Sequence, residues 1–255
     1  MSDWDAAQYH RVSDPQRAWG LPVLGRLAPA SGERILDIGC GTGRLTADLH
    51  ARAGSARLIA ADRSWTMARE ARRHLPAIVA VVEADAVSLP FDRGAFDAVF
   101  STATFHWVPD HPRLFAEIHR VLRPGGRLVS QAGGGPNLER LYQRTAALAA
   151  DVEFAAHFTD WRDPWTFAGV DDTRERLAQA GFTDIDVWLE STPTPLADVA
   201  RYAEFVTTVC LRHQLHRLPE DKRAAYVARL TEMAADDAPR FTLDYWRLNI
   251  DGRKH

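Results

Sequence analysis

The sequence has few cysteines, no excess of one charge and no long hydrophobic run. Its 255 residues include two cysteines, Cys40 and Cys210, and no C-x-x-C pair, so neither a disulfide framework nor a structural zinc site is expected. No apolar stretch reaches the roughly 20 residues that a membrane helix needs. Lys and Arg number 31 against 34 Asp and Glu, a net charge of -3, so we expect no nucleic-acid partner.

Three further absences narrow the class of protein. Residues 1–14 lack the basic region and apolar core of a secretory signal, so a cytoplasmic location with no membrane attachment is expected. His213 and His216 lie three residues apart, but no Cys or carboxylate completes a ligand set at matching spacing, so no metal site is predicted. Nothing in the sequence indicates an obligate protein partner, and a small-molecule substrate is the expected partner.

Short apolar runs alternate with segments of helical periodicity. Runs without strict alternation, which are typical of strands covered on both faces, occur at 34–37, 57–61, 78–82, 96–100 and 127–130. Helical segments lie between them, at 44–53, 64–74 and 111–122. Two later stretches, 182–188 and 241–248, alternate with period two and predict further strands. The pattern predicts an α/β fold with a doubly wound, mostly parallel, seven-stranded sheet.

The alternation stops at Gly133-Gly134-Gly135-Pro136, where the glycines free the backbone and the proline blocks a central strand. The aromatic stretch that follows is predicted to be a lid, and 195–236 is predicted to be helical with a break at Leu218-Pro219. We therefore divide the chain into an N-terminal cap and helix, a ligand-binding core, a lid or acceptor region, and a C-terminal part of the sheet with a helical insertion. Their bounds are 1–30, 31–135, 136–170 and 171–255.

A glycine-rich turn follows the first predicted strand. Gly39, Gly41 and Gly43 occupy alternate positions, which permits positive φ and lets a ligand approach the backbone at the carboxyl edge of the sheet. The spacing differs from the dinucleotide and triphosphate fingerprints, which disfavours a hydride-transferring dehydrogenase. Asp37, just before the turn, opposes a phosphate but suits an ammonium group. The structural alternative is a tight strand-to-helix turn with no ligand.

Acidic residues also end the next two strands. Asp62 ends the second and is placed to accept both hydroxyls of a ribose, although a helix N-cap role is the alternative. Asp85 ends the third and is placed to accept from an adenine amine, or is simply solvated. Taken together, the glycine turn and three acids at successive strand ends predict a nucleotide-type cradle.

Five ordered motifs between roughly residues 30 and 132 resemble the class I S-adenosylmethionine-dependent methyltransferases. They are Leu-Asp-Ile-Gly-Cys-Gly-Thr-Gly, Ala-Asp-Arg-Ser, Glu-Ala-Asp-Ala, Phe-Asp-Ala-Val-Phe-Ser and Val-Leu-Arg-Pro-Gly-Gly-Arg-Leu. The resemblance implies a Rossmann-like methyltransferase fold and S-adenosyl-L-methionine as cofactor. We expect Cys40 to be a small buried side chain and not a nucleophile. The residues expected to bind the cofactor are Asp37, Gly39, Cys40, Gly41, Asp62, Arg63, Met67, Asp85, Ala86 and Ser101.

The segment after the fourth strand, Phe-His-Trp-Val-Pro-Asp-His, and the early Asp-Trp-Asp-Ala-Ala-Gln-Tyr resemble the trans-aconitate methyltransferase group, which esterifies a small carboxylic acid. His106 stands where that group typically has Gln. The resemblance implies O-methylation of a small carboxylic acid. The residues expected around the acceptor are Tyr9, Phe105, His106, Trp107, Trp161, Trp165, Arg212, Tyr245 and Arg247.

The acceptor decides whether a base is needed. A carboxylate is already ionised, so alignment and a cationic clamp suffice, with Arg212, His213 or Arg247 as candidates. O-, N- or C-methylation of another small aromatic or apolar metabolite would instead require His106 as the catalytic base. The alternative role for His106 is a hydrogen bond to a backbone group at a helix start. A non-catalytic S-adenosylmethionine-binding module is the remaining alternative.

Overall fold

The computed structural model of the protein describes residues 4–255, and it divides the chain into two compact units. Unit 1 comprises the described part of Met1–Gly135 together with Trp165–Glu190 and Arg247–His255; unit 2 comprises Pro136–Pro164 and Ser191–Trp246. Residues 1–3 of the predicted N-terminal cap lie outside the described residues. None of the helices within 4–255 is long and apolar enough to cross a membrane.

Within residues 4–255, seven strands form the main sheet in the order β3-β2-β1-β4-β5-β9-β6, and two short strands form a second sheet. The strands are β1 Arg34–Ile38, β2 Arg57–Asp62, β3 Ala80–Glu83, β4 Phe96–Thr102, β5 Leu122–Gly133, β6 Phe182–Ser191, β7 Thr194–Pro195, β8 Thr242–Leu243 and β9 Trp246–Lys254. Strands β1 to β5 pair in parallel, whereas β9 is antiparallel to β5. The predicted α/β fold with a mostly parallel, seven-stranded sheet is confirmed.

Ten α-helices connect or flank these strands within the described residues. They are α1 Ala6–Val12, α2 Asp14–Leu27, α3 Arg44–Arg52, α4 Trp65–His74, α5 His111–Val121, α6 Glu139–Ala150, α7 Val170–Gln179, α8 Val199–Phe205, α9 Arg212–Arg217 and α10 Glu220–Ala235. Polar caps begin several of them: the Ser64 hydroxyl accepts from the backbone N–H of Met67, and the Asp110 carboxylate accepts from that of Arg113.

The core of unit 1 lies on both faces of the sheet. Along β1, Leu36 and Ile38 join one cluster of buried side chains, and Ile35 joins the other. Along β4, Val99 belongs to the first cluster and Phe100 to the second. Successive side chains of a strand point to opposite faces, and here both faces are covered, which explains why these runs are apolar without alternation.

Two predicted strands have different bounds in the structure. The third strand begins at Ala80 and not at residue 78, since Ile78 lies in a turn with 80% of its surface exposed. The alternation at 241–248 is not one strand: Thr242–Leu243 pairs with Thr194–Pro195, and β9 begins at Trp246 and continues to Lys254. A period-two pattern indicates an extended backbone but does not show which strand that segment pairs with. Two segments that pair with different strands were therefore predicted as one strand.

Unit 2 is mostly helical. It contains α6, α8, α9 and α10, with a π-helical turn at Val206–Cys210 after α8. The predicted break at Leu218-Pro219 separates α9 from α10, as expected for a residue without a backbone N–H. The buried Asp237 carboxylate accepts from Arg140 Nη1 and Arg144 Nη1, each at 3.1 Å, after the end of α10.

Candidate active site

The glycine turn joins the ends of β1 and β2. The backbone N–H of Gly39 donates to the Ala61 carbonyl at 2.7 Å, and Gly39 has a φ of +74°. A Cβ there would lie 2.0 Å from the Thr104 hydroxyl, so this position requires glycine for packing as well as for its backbone. At Gly41, with a φ of +55°, a Cβ would meet nothing within 4 Å. The turn therefore packs tightly at Gly39 and leaves open space at Gly41.

A pocket of unit 1 opens at this turn. Side chains from the N-terminal helices form one wall, and the ends of β1 and β4 form the other. The lining residues are Tyr9, Ser13, Gln16, Arg17, Asp37, Gly39, Cys40, Gly41, Thr42, Arg44, Leu45, Thr102 and Ala103. The sequence had indicated Asp37, Gly39, Cys40, Gly41 and Tyr9; it gave no signal for the α2 residues, because they enter the pocket only through tertiary packing.

Helix α1 is held against the same region. The His10 ring Nδ1 lies 2.9 Å from the Thr42 hydroxyl, and an Arg44 guanidinium N–H donates to the His10 carbonyl at 3.1 Å. Just before the helix, the Trp4 carbonyl accepts from the Thr66 hydroxyl at 2.8 Å. These contacts place Tyr9, on the same helix, at the pocket.

Asp37 lies under the turn and is buried, with 3% of its surface exposed. One carboxylate oxygen accepts from the Thr46 hydroxyl at 2.6 Å. Burial raises the pKa of this carboxyl to about 7, with a smaller contribution in the same direction from Asp62 and an opposing one from the Thr46 hydrogen bond. A cation bound beside Asp37 would favour its ionised form, so the site suits an ammonium group.

Asp62, at the end of β2, connects two loops. Its Oδ2 accepts from the backbone N–H of Gly41 and its Oδ1 from that of Ser64, both at 2.8 Å. Ser64, and not Asp62, caps α4. Each carboxylate oxygen has two lone pairs and can accept more than one hydrogen bond. Asp62 both fixes the shape of the turn and presents an anion there.

The other expected cofactor residues surround the same strand ends. Arg63 Nε lies 3.5 Å from the Asp85 carboxylate, and Asp85 also accepts from the Val87 N–H at 3.2 Å. Met67 and Ala86 are buried. The Ser101 hydroxyl donates to the Ile38 carbonyl at 2.7 Å, which ties β4 to β1. Burial raises the pKa of the Cys40 thiol well above its ordinary value, as suits a packing residue and not a nucleophile.

His106 lies in a short 3-10 helix, Phe105–Trp107, after β4. Its Nδ1 accepts from the backbone N–H of Gly133 at 3.1 Å, so the proton of the neutral ring is on Nε2. Burial lowers the pKa of His106 to about 3, and the nearby charge of Arg247 acts in the same direction. This geometry disfavours a general base and agrees with the alternative role, a hydrogen bond to a backbone group, because the Gly133 N–H occupies the Nδ1 lone pair.

Arg247 brings a buried cation near His106. It is opposite Gly133 in the register of β5 and β9, and only 3% of its surface is exposed. Its guanidinium carbon lies 3.6 Å from the centre of the Trp19 ring, a close cation–π contact. The sequence did not indicate Trp19, because nothing in a helical segment shows which distant strand its side chain meets.

The two aromatic residues beside His106, Trp107 and Phe105, have different surroundings. Trp107 contacts Trp4 and Trp165, with ring centres 5.6 Å apart in each pair, and Trp165 stacks on Phe167 at 5.8 Å. Phe105, expected at the acceptor pocket, instead packs against Phe115 in the core and is 3% exposed. Residue 105 points inward because it opens a helical turn whose apolar side faces the sheet.

The remaining acceptor candidates belong to unit 2. Trp161 donates to Asp163 at 3.2 Å, and Arg212 Nη2 lies 3.3 Å from His213 Nε2. The Tyr245 hydroxyl lies 3.6 Å from Cys210 Sγ, and Tyr245 is 4% exposed. Residues 161–165 are not helical, and Trp161 and Trp165 fall in different units.

Comparison with known proteins agrees with this geometry. A methyltransferase-domain family model matches residues 36–130. The trans-aconitate 2-methyltransferase of Methylobacterium nodulans is 32% identical, covering 100% of this chain and 99% of the relative, and that of Variovorax paradoxus is 30% identical, covering 97% and 95%. A solved structure of Haemonchus contortus phosphoethanolamine N-methyltransferase 2, in complex with phosphomonomethylethanolamine and S-adenosylhomocysteine, has 20% identity and shares the fold, with a TM-score of 0.61 over 98% of this chain and 56% of that one. The chain therefore uses S-adenosylmethionine and belongs to the class I S-adenosylmethionine-dependent methyltransferases, within the trans-aconitate methyltransferase group.

Proposed function

We propose that the protein transfers the methyl group of S-adenosylmethionine to a carboxylate oxygen of a small carboxylic acid similar to trans-aconitate. The observation that carries this proposal is a buried cation, Arg247, close enough to His106 to act on it electrostatically, together with the neutral N–H of His106 Nε2, within unit 1. Such a pair suits an acceptor that is already an anion. The names of the two full-length relatives support the same substrate class.

The residues of the glycine turn fit the cofactor. Open space at Gly41 leaves room for the amino-acid part, and the buried Asp37 carboxylate offers its ammonium group a partner. The Asp62 carboxylate, at the end of β2, would accept from the ribose hydroxyls, while Asp85 and Met67 would hold the adenine. When bound, S-adenosylmethionine supplies an electrophilic methyl group on a positively charged sulfur.

The protein's task is then to hold and desolvate the acceptor. Arg247 binds a carboxylate, and Trp19 keeps the guanidinium in place. His106 donates to an acceptor oxygen through Nε2. Trp107 and Trp165 exclude water, which makes the carboxylate oxygen more reactive than it is in solution. No proton has to be removed, so alignment supplies most of the rate.

The second candidate is methylation of a phenol, hydroxyl or amine with His106 as base. It requires a free lone pair on the ring and a pKa near the working pH. The ring's Nδ1 is occupied by Gly133, and its pKa lies near 3, so the geometry favours the carboxylate.

The test uses radiolabelled S-adenosylmethionine with trans-aconitate, cis-aconitate, citrate, a phenol and an amine. We expect transfer to a small acid and a product that mild base hydrolyses with release of labelled methanol, as an ester requires. A base-stable product formed only from the phenol or amine would overturn the proposal.

The matched variants are Arg247→Met and Arg247→Lys. A hydrogen bond to a charged group contributes about 1.5–3 kcal/mol to binding. Its loss in Arg247→Met should therefore raise the KM for the acid about 10- to 100-fold. Arg247→Lys should recover part of this loss, and the affinity for S-adenosylhomocysteine should be the same in both. An unchanged KM in Arg247→Met would show that Arg247 does not bind the acceptor carboxylate.

A further inference from the structure

Unit 2 contains a cavity whose lining residues all belong to that unit. It has a volume of about 870 Å³, within the roughly 300–1,000 Å³ range of pockets for small organic ligands. Helices α8, α9 and α10 and the π-helical turn form its walls. Small and aliphatic side chains make up most of the lining, including Val199, Ala203, Leu215, Val227 and Ala228.

The charged groups of this cavity are not spread evenly. Arg212 and His216 on α9 and Arg223 near the start of α10 line the same cavity, and both arginines act electrostatically on the His216 ring, which places the three groups together. Glu232 lines the cavity nine residues further along α10, about 13 Å from Arg223 along the helix axis. Arg229 lies close enough to Glu232 to interact with it. One end of the cavity is therefore cationic.

The long side of the cavity is apolar. Between Arg223 and Glu232, α10 contributes Ala224, Val227, Ala228 and Thr231, and α8 faces it with Val199 and further small residues. Val199 is 52% exposed, which is a high fraction for a β-branched aliphatic side chain. An apolar chain lying here would cover this surface and gain the free energy of leaving water.

We propose that this cavity of unit 2 binds an amphipathic carboxylate, with the carboxylate at Arg212, His216 and Arg223 and an unbranched apolar chain along α10. Guanidinium groups bind carboxylates through paired N–H donors, and the histidine ring adds a further donor. A cationic amphiphile fits poorly, because its head group would meet two arginines. This ligand site is independent of the methyl acceptor proposed above.

The experiment measures binding of decanoate to the full-length protein by calorimetry, with decyltrimethylammonium as the probe of opposite charge. We expect saturable binding of decanoate only. Across a series from hexanoate to dodecanoate, affinity should rise about fourfold per added methylene until the cavity is filled. Equal binding of the cationic probe, or affinity independent of chain length, would overturn the proposal.

Three variants locate the site. Arg223→Gln should weaken decanoate binding about 10- to 100-fold, as for loss of a charge-assisted hydrogen bond. Ala228→Trp places a large side chain at an exposed lining position and should abolish binding without a loss of thermal stability. Arg201→Gln is the control, since Arg201 pairs with Glu204, is largely exposed and does not line the cavity.

Decanoate affinity that is unchanged in both Arg223→Gln and Ala228→Trp would place the ligand elsewhere and overturn the assignment. A localised NMR shift of the His216 ring on adding decanoate would support it. Calorimetry with S-adenosylhomocysteine on the same variants should give unchanged affinity, so failure here is distinguishable from failure of the methyl-transfer proposal.

Discussion

The glycine-turn cradle of unit 1 and the cavity of unit 2 are formed by different parts of the polypeptide. In unit 1, the cradle uses backbone N–H groups, glycines and acids at strand ends, within a stretch of sequence from Asp37 to Asp85. In unit 2, the cavity uses the side-chain surfaces of three helices, and its lining residues run from Val199 to Ala235. A backbone cradle demands particular residues at particular spacings, whereas a helix-walled cavity demands only size and polarity. The first leaves a motif in the sequence, and the second does not.

The largest expected effect tests whether unit 2 can be weakened without harming the cradle. Asp237→Ala removes a carboxylate whose side chain is 5% exposed and leaves the Arg144 guanidinium, 13% exposed, without that partner. Breaking such a buried pair costs about 3–5 kcal/mol of unfolding free energy. Urea unfolding measures this loss, and calorimetry should show unchanged affinity for S-adenosylhomocysteine at temperatures where the variant is folded. Loss of cofactor affinity in proportion to stability would mean that the two units do not behave separately.

The next prediction separates two glycines of the same turn. Gly39→Ala places a Cβ against Thr104 and also carries the cost of a left-handed backbone, so it should lose about 2–4 kcal/mol of unfolding free energy. Gly41→Ala bears only the backbone cost of about 1–2 kcal/mol, because its Cβ meets open space. Urea unfolding compares the two directly. Equal losses would show that packing at Thr104 does not distinguish them.

Asp62 should matter for both the turn and its ligand. Asp62→Ala removes two hydrogen bonds to backbone N–H groups together with the expected ribose contacts, so S-adenosylhomocysteine should bind about 1.5–3 kcal/mol more weakly. Asp62→Ala should also reduce thermal stability, whereas substituting a residue that only contacts the ligand would not. Asp62→Asn keeps one acceptor oxygen and serves as the control. If calorimetry finds equal affinity for S-adenosylhomocysteine in wild type and Asp62→Ala, Asp62 does not bind the cofactor.

The smallest expected change in ligand affinity is a pH dependence that arises from Asp37. Its pKa is about 7 in the folded protein against an ordinary value of 3.8, so unfolding free energy falls as pH rises between these values. An ammonium ligand needs the ionised form, so affinity for S-adenosylhomocysteine should rise about tenfold from pH 6 to pH 8. Asp37→Asn should bind more weakly and lose this dependence. A flat profile in the wild type would show that Asp37 does not face the ammonium group.

Much of the cradle was predictable because each part has a local physical cause. The glycines at 39 and 41 carry positive φ, and the acids at 37 and 62 lie at the carboxyl ends of the first two strands, as expected. The errors have causes that are not local. Phe105 turns into the core, and the alternation at 241–248 belongs to two sheets. The backbone partner of His106, the N–H of Gly133, lies 27 residues away and is likewise not evident from the sequence.

The α/β fold, the strand ends that carry polar residues and the methyltransferase family could all be predicted from sequence patterns, because periodicity and a glycine turn act over a few residues. Three features became evident only from the folded structure: Trp19 lies against Arg247, Arg247 is opposite Gly133 in the register of β5 and β9, and the helices of unit 2 line a cavity with one cationic end. These contacts join residues that are more than a hundred positions apart or spread over several helices. Their partners are chosen by packing, which leaves no pattern along the chain.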